Sequence, residues 1–256
     1  MFDINNLDLI KIKMNLKYLP KTQGGRLQNV ATFCYLCENN DKRNDASFII
    51  NNTLQSASEA ADIFAHVGMT KINNIDFIVK IMLYGKMALQ EYKVAKIFRE
   101  KPHRNIVQNI CAYKCNDNPI KWERRIQKPL PLCNINETSE FMIIIQEYIY
   151  EGDLHKFKNN ITFEIWSSII KQLTYSCIEW YEKYGFLYGD WHYGNILMDI
   201  CETKYNKYRA YGKEWKVKTY SYAPVLTDFS RSEIRPIDKL EPWQLASQIS
   251  LIWDML

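Results

Sequence analysis

Apolar residues fall along this chain in two rhythms, and the rhythm changes near residue 150. Ahead of that point they come in short unbroken runs: Phe77, Ile78 and Val79 lead into Lys80, and residues 141–150 read FMIIIQEYIY. Runs of this length, rich in β-branched and aromatic residues, predict buried strands. Residues 88–99 instead repeat at helical spacing, with Leu89, Tyr92, Ala95, Ile97 and Phe98 as a rough stripe. Glu151, Gly152, Asp153 and Leu154 open a further helix. Beyond it the helical period dominates. Residues 163–184 place Ile165, Trp166, Ile169, Ile170, Leu173 and Ile178 on one face, and residues 241–256 predict a closing helix. Two short apolar strands, 196–198 and 225–227, interrupt the helical part. The pattern predicts an α+β chain in three parts: an extension over residues 1–45, a small strand-rich region over 46–150 and a helical region over 151–256. The extension carries Leu7, Leu9, Ile10, Ile12 and Leu16 ahead of a Gly24, Gly25 break, and its pattern assigns it no task.

Chemistry concentrates where strands end. Residues 185–199 read GFLYGDWHYGNILMD, which sets Asp190 five positions before Asn195 and just ahead of an apolar strand. Downstream, Val225, Leu226 and Thr227 run into Asp228, Phe229 and Ser230, a second strand ending in an acid. Upstream, one strand ends on Lys80, the following helix carries Glu91 near its start, and His103, Arg104, Asn105, Ile106 and Val107 spell H-x-N-I-V. Each feature alone is common, since lysines and glutamates are usually solvated and D-x-x-x-x-N arises readily by chance. Together, in this order and beside these elements, they resemble the protein-kinase superfamily over roughly residues 50–256. The details are most similar to haspin-like kinases and the Ser/Thr kinases encoded by large DNA viruses. The loop reads D-W-H-x-G-N, and an insertion over 201–224 carries the pattern Y-x-x-x-G-K-x-W-x-V-x-T-Y. No A-P-E motif follows Asp228.

The resemblance implies a bilobal kinase-like fold with a small antiparallel-sheet lobe and a mainly helical, shortened large lobe. It implies in-line transfer of the ATP γ-phosphoryl group to a serine or threonine hydroxyl of a protein substrate, by positioning and charge stabilisation. Asp190 would orient the acceptor hydroxyl. Lys80, locked by Glu91, would hold the α- and β-phosphates, and Asn195 and Asp228 would coordinate Mg²⁺, a hard ion suited to oxygen ligands. Adenine would lie between Ile63 and Ile78 on one side and Leu197 on the other. The Glu147 carbonyl and the Ile149 amide would read it, with Gln146 as gatekeeper.

Several positions depart from the family. Its phosphate-covering loop uses glycine because a bare backbone approaches phosphate closely. Here the aligned stretch runs from Ser56 to Ile63, with Ser56, Ser58 and Ala61 in place of the glycines. Ile78 replaces an alanine and crowds the base. Gly189 removes the arginine that reads a phosphorylated activation loop. His192 stands where lysine usually neutralises the γ-phosphate, and an imidazole is only partly charged near neutral pH. Ser230 replaces the glycine of D-F-G, and Glu241 stands where an aspartate usually ties down the catalytic loop. Two alternatives stay open. A pseudokinase, acting as a binding or scaffold module, is favoured by the glycine-free loop and Ile78. A small-molecule phosphotransferase is suggested by Gly189, Asp190 and His192, which resemble H-G-D-x-H-x-x-N loops, but the chain has no room for the helical substrate region of such enzymes. The short large lobe also implies that Trp243, Ile249, Ile252, Trp253 and Leu256 are partly exposed, which suggests a partner over the closing helix.

Composition narrows the setting. A chain of 256 residues buries one substantial core, here split over two lobes. The net charge of +4 is mild and the basic residues are dispersed, so no nucleic-acid footprint is expected. Lys121, Trp122, Glu123, Arg124 and Arg125 form a local basic cluster, read as an exposed insertion with a possible docking role, flanked by 116–119 and 129–131. No run has the length of a membrane span and the start lacks a signal-peptide profile, so the chain is expected to be intracellular. Seven cysteines argue against a disulfide framework. Cys34 and Cys37 with Cys111 and Cys115 have zinc-like spacing, but Cys34 lies in an apolar strand-like run, which favours core cysteine. His66, His103 and His155 read as structural. Abundant Asn, Ile, Lys and Tyr fit an AT-rich genome, as in large DNA viruses.

Overall fold

A computed structural model of the chain describes residues 54–56, 65–72, 75–115, 121–123, 129–131, 141–158 and 161–255. These make two compact units: one of the described residues up to Pro102 together with Gln108–Tyr148, the other of His103–Val107 and Ile149–Leu256. The chain is a mixed α+β protein with mostly antiparallel pairing.

The first unit holds β1 (Leu54–Ser56), β2 (Ala65–Ile72), β3 (Ile75–Leu83), α1 (Lys86–Glu100), β4 (Asn109–Cys115), β5 (Lys121–Glu123), β6 (Pro129–Pro131) and β7 (Phe141–Glu147). They form one sheet of order β4-β7-β3-β2-β1-β5-β6. Only β1 and β5 pair in parallel. Alternation along β3 sends Phe77, Val79 and Ile81 to one face and Lys80 and Met82 to the other, all of them buried. On the second face Met82 packs with Met142, Ile144 and Ala88, with Leu89 against them. Helix α1 buries Ala88, Glu91, Val94, Ala95 and Phe98, a three-and-four repeat that forms its inner stripe. Of the expected stripe Ala95 and Phe98 are buried and Leu89 packs on the core, but Tyr92 is exposed and the inner position beside it belongs to Glu91.

Of the basic cluster, Lys121–Glu123 forms β5 and pairs with β1, while Arg124 and Arg125 lie outside the described residues. Pro129–Pro131 is the edge strand β6, a position that tolerates proline's missing amide. Cys111 and Cys115 lie in β4, whereas Cys34, Cys37 and the whole 1–45 extension lie outside the described residues. Among the described residues no group of His, Cys, Asp and Glu is assembled as a metal cluster.

The second unit is less helical than expected. Helices α2 (Leu154–Phe157), α3 (Phe163–Tyr184) and α4 (Pro242–Trp253) share it with β8 (Phe186–Leu187), β9 (Ile196–Ile200), β10 (Tyr205–Ala210), β11 (Lys213–Lys218), β12 (Tyr222–Leu226) and β13 (Glu233–Ile234). The strands pair as β8–β13, β9–β12 and β10–β11, all antiparallel. The α3 helix starts where the Thr162 hydroxyl accepts the Ile165 amide and ends at Gly185, whose φ of 60° suits glycine. A side chain there would also collide with the Arg235 carbonyl, which lies 2.0 Å from the position of a Cβ.

The 201–224 insertion is a hairpin riding on α3. Tyr211 and Gly212, with φ of 48° and 70°, form its two-residue turn. Its inner residues Asn206, Tyr208 and Ala210 are buried, while Tyr205, Lys207 and Arg209 face out. Ser168, Gln172 and Ser176 recur every fourth residue of α3 and meet that inner face with a buried polar network. Asn206 Nδ2 donates to Gln172 Oε1 at 2.9 Å, and Arg104 donates to Asn206 Oδ1 at 3.0 Å. Asn105, fully buried, donates to the Pro224 carbonyl and accepts from Ser176 and Tyr208 at 2.9 and 3.1 Å. Buried polar groups are costly unless bonded, and here each of these residues has protein partners.

Helix α4 packs on α3, where the Tyr181 hydroxyl donates to the Glu241 carbonyl at 2.8 Å. Trp243 and Trp253 stand exposed and Ile249 half-buried as the sequence suggested, but Ile252 is fully buried and Leu256 lies outside the described residues. No helix among the described residues is long and apolar enough to cross a membrane.

Candidate functional site

The first unit contributes a sealed ion pair. Lys80 sits mid-strand in β3 and Glu91 on the inner stripe of α1, with Lys80 Nζ 3.1 Å from Glu91 Oε2 and both side chains almost without solvent. Ile78 stands opposite Gln146 in the β3–β7 ladder, and directly opposed residues share a face. Ile78, Lys80 and Gln146 therefore line one side of the sheet. Gln146 Nε2 donates to Asn109 Oδ1 at 2.7 Å. Glu147 is bound twice to Gln108: its amide donates to the Gln108 carbonyl at 3.0 Å, and its carboxylate accepts from the Gln108 amide. Ser56 ends β1, while Ser58, Ala61 and Ile63 lie outside the described residues. Ile149, buried at 5 % exposure, begins the long stretch of the second unit.

The second unit brings Asp190, His192, Asn195 and Asp228 together through the register of one hairpin. Strand β9 starts just after Asn195 and β12 ends just before Thr227, with Ile196 paired to Leu226. The Thr227 amide donates to the Asn195 carbonyl at 3.0 Å, closing the same end of the ladder. Residues 33 positions apart in sequence thus become neighbours. Leu197, the next residue of β9, bridges Asp153 through its backbone and is partly exposed.

Asp190 lies at the centre of the group, its side chain 22 % exposed. Asn195 Nδ2 donates to Asp190 Oδ2 at 3.0 Å and to its carbonyl at 3.2 Å. This commits the amide nitrogen and leaves the Asn195 oxygen as the group able to meet a cation. His192 Nδ1 accepts the Gly194 amide at 3.2 Å, and its Nε2 stands 3.7 Å from Asp190 Oδ2. Arg231, unassigned by the sequence reading, places Nη1 3.3 Å from Asp190 Oδ1. Asp228 has φ of 56°, a left-handed backbone that aspartate tolerates at a cost and that clusters at working sites. Its Oδ1 accepts from the Ser230 amide at 3.3 Å and the Ser230 hydroxyl at 2.7 Å, so the serine adds a bond that glycine would lack.

The loop is pinned from below by residues that motif reading passed over. Tyr188, 1 % exposed, donates its hydroxyl to the Thr227 carbonyl at 2.6 Å. Trp191 Nε1 donates to Gln248 Oε1 at 3.0 Å, and the Tyr193 hydroxyl donates to the Met255 carbonyl. Helix α4 thus holds the loop from its middle and end. Glu241 is corrected accordingly: its amide donates to Gln244 Oε1 at 3.0 Å, half of a capping box at the start of α4. Phe229 is fully buried against Phe186 and Tyr188, at 6.2 and 6.1 Å between ring centres.

Compared with protein-family models the chain matches none, and a search of the curated proteins finds no match. The chemistry of the site therefore stands on its own geometry. One unit offers a charged ammonium held by a carboxylate. The other offers a carboxylate beside a guanidinium and an imidazole, with an amide oxygen and a second carboxylate suited to a hard ion.

Proposed function

We propose that the chain is an ATP- and Mg²⁺-dependent phosphotransferase of the protein-kinase superfamily, with a bilobal kinase-like fold, acting on serine or threonine hydroxyls of a protein. The observation that carries this reading is the Lys80–Glu91 pair, 3.1 Å apart and sealed from water. Burying two ions costs several kcal/mol each, and an apolar pair would serve stability as well or better. A polyanionic ligand gives that ammonium a use: Lys80 holds the α- and β-phosphates, and Glu91 keeps it aimed.

Asn195 and Asp228 supply one amide oxygen and one carboxylate. So few protein oxygens suit Mg²⁺, which retains waters and takes substrate phosphates as its other ligands. When bound, the ion would neutralise charge on the transferred phosphoryl group. Asp190 orients the acceptor hydroxyl and accepts its proton, while Asn195 fixes the Asp190 carboxylate. In the first unit Ile78, Gln146 and the Glu147 carbonyl would meet the base; in the second, Leu197 and the Ile149 amide would.

The test is thermal unfolding of the chain with and without ATP and Mg²⁺, beside Asp228→Ala, followed by phosphate transfer to serine- and threonine-containing peptides. A ligand that binds only the folded state at 1,000 times its Kd adds about 4 kcal/mol of stability. We expect a metal-dependent rise in melting temperature that Asp228→Ala removes, and transfer to peptide. A folded protein without the shift would overturn the reading. A shift without transfer would favour a nucleotide-binding scaffold, the reading that Ile78 beside Lys80 and Gln146 supports.

A further inference from the structure

Asp190 is held at both oxygens, and the two holders differ in kind. Asn195 Nδ2 bonds Oδ2 at 3.0 Å, and Arg231 Nη1 approaches Oδ1 at 3.3 Å. Two donors on the two oxygens fix the rotation of the carboxylate as well as its place. The imidazole of His192, as placed, leaves Oδ1 to the guanidinium. Its Nδ1 is committed to the Gly194 amide, and its Nε2 lies at 3.7 Å on the Oδ2 side.

Gly189 explains how Arg231 comes to be there. A Cβ at position 189 would lie 1.9 Å from the Arg231 carbonyl oxygen and 2.7 Å from its carbon, closer than any real contact. Backbone atoms cannot swing aside as a long side chain can. The bare backbone at 189 is thus the condition for residue 231 to lie against the loop. The turn carrying Arg231 is itself anchored. The Ser232 amide donates to the Phe229 carbonyl at 3.0 Å, Phe229 is fully buried, and the Arg235 amide donates to the Gly185 carbonyl at 3.0 Å. An exposed guanidinium thus stands on a fixed backbone, its side chain 66 % accessible. As a surface ion pair it adds little stability, typically ~0–1 kcal/mol. Its place beside the reacting carboxylate is where a permanent charge has an effect.

We infer that Arg231 is the positioning residue for Asp190, standing in for the cations that Gly189 and His192 do not provide. The inference rests on the phosphotransferase reading above and names a further member of that site. Arg231 keeps the carboxylate turned toward the acceptor hydroxyl, and unlike an imidazole it stays charged at every working pH.

The experiment compares Arg231→Gln, Arg231→Lys and the double variant Arg231→Gln with His192→Lys in the full chain. It reads phosphate transfer from ATP–Mg²⁺ to a serine-containing peptide, together with melting temperature and the ATP–Mg²⁺ thermal shift. Arg231→Gln is expected to lower kcat by roughly a hundredfold, the lower end of the range for loss of one charge-stabilising donor. KM for ATP, the thermal shift and the melting temperature stay at wild-type values. Arg231→Lys recovers part of the loss, and so does His192→Lys in the Arg231→Gln background, because each restores a permanent cation beside Asp190. A merely structural role would not produce that second rescue. Wild-type kcat in Arg231→Gln overturns the inference alone. So does a loss that tracks melting temperature or KM and that neither lysine repairs. A wild-type chain that transfers no phosphate overturns the phosphotransferase reading and this inference with it.

Discussion

Lys80 and Glu91 meet at 3.1 Å in an interior almost closed to water, whereas Asp190 and Arg231 meet at 3.3 Å with the guanidinium two-thirds exposed. The distances are alike and the physics is not. Attraction between the first two acts in a low dielectric and is matched by a large desolvation cost. The second pair is screened by solvent and contributes little to folding. Precision in the first unit therefore comes from the elements themselves, a central strand and the helix packed on it. In the second it comes from scaffolding. Tyr188, Trp191, Tyr193 and the β9–β12 ladder hold the loop that presents Asp190.

The largest expected effect breaks the sealed half. Glu91→Ala strips the carboxylate from a buried ammonium and should cost about 3–5 kcal/mol in chemical denaturation. Lys80→Met with Glu91→Leu should recover most of that stability, since apolar side chains of similar size suit the site as well as ions do. Neither variant should show the ATP–Mg²⁺ thermal shift. Stability and ligand binding would then separate at one position. A Glu91→Ala cost below about 1 kcal/mol would mean that the pair is effectively solvated, and the contrast between the units would collapse.

An intermediate effect comes from Glu179 on α3, where the inserted hairpin is anchored through the Arg209 amide. Burial works to raise the Glu179 carboxyl, but hydrogen bonding and charge from His103 and Lys183 outweigh it and hold the group at about 2. His103 Nε2 stands 3.6 Å from Glu179 Oε2, and Lys183 pairs with the other oxygen. A folded pKa below the unfolded value near 4.5 gives stability that is complete above that value and is lost as pH falls from 4.5 toward 2. Burial lowers His103 from its ordinary 6.5, so its contribution is complete above 6.5 and fades as pH falls below it. Both groups therefore favour unfolding in acid, in successive windows. Glu179→Gln should cost about 1–2 kcal/mol at neutral pH, discounted for solvent screening, and should flatten the stability curve below pH 4.5. Equal acid sensitivity in wild type and variant would remove Glu179 from that role.

Short-range signals carried much of the first unit and little of the second. Lys80 at the end of an apolar run and Glu91 eleven residues on were legible through the kinase resemblance, which pairs a lysine so placed with an acid early on the next helix. The apolar stripe of α1 itself took Tyr92 for the inner position that Glu91 holds, since a search for apolar residues does not see a buried acid. In the second unit Asp190, Asn195 and Asp228 were legible from spacing beside strands. The partners that hold them were not. Arg231 lies 41 positions from Asp190, and Gln248 lies 57 from Trp191. Only the fold of the intervening hairpin and turn brings them together. Ser168, Gln172 and Ser176 did repeat at helical spacing, but a polar stripe reads as solvated until an inserted hairpin supplies its partners.

The smallest effect tests which part of α4 ties down the loop. Trp191 Nε1 bonds Gln248 Oε1 at 3.0 Å, and its ring meets Tyr188 edge-on at 4.9 Å between centres. Replacing the indole with phenylalanine keeps much of the ring contact and deletes the donor, a loss of about 0.5–1.5 kcal/mol for a neutral hydrogen bond. Gln248→Ala removes the acceptor at similar cost. Because both delete the same bond, the double variant should cost less than the sum of the two, and a double-mutant cycle in urea reads that difference directly. Glu241→Gln should leave the coupling and the transfer rate unchanged, because the contacts of Glu241 serve the start of the helix and a glutamine oxygen can still accept the Gln244 amide. Should Glu241→Gln instead reduce transfer as much as Trp191→Phe does, the tie would lie at the first turn of α4. The loop would then depend on a carboxylate rather than on the Trp191–Gln248 bond.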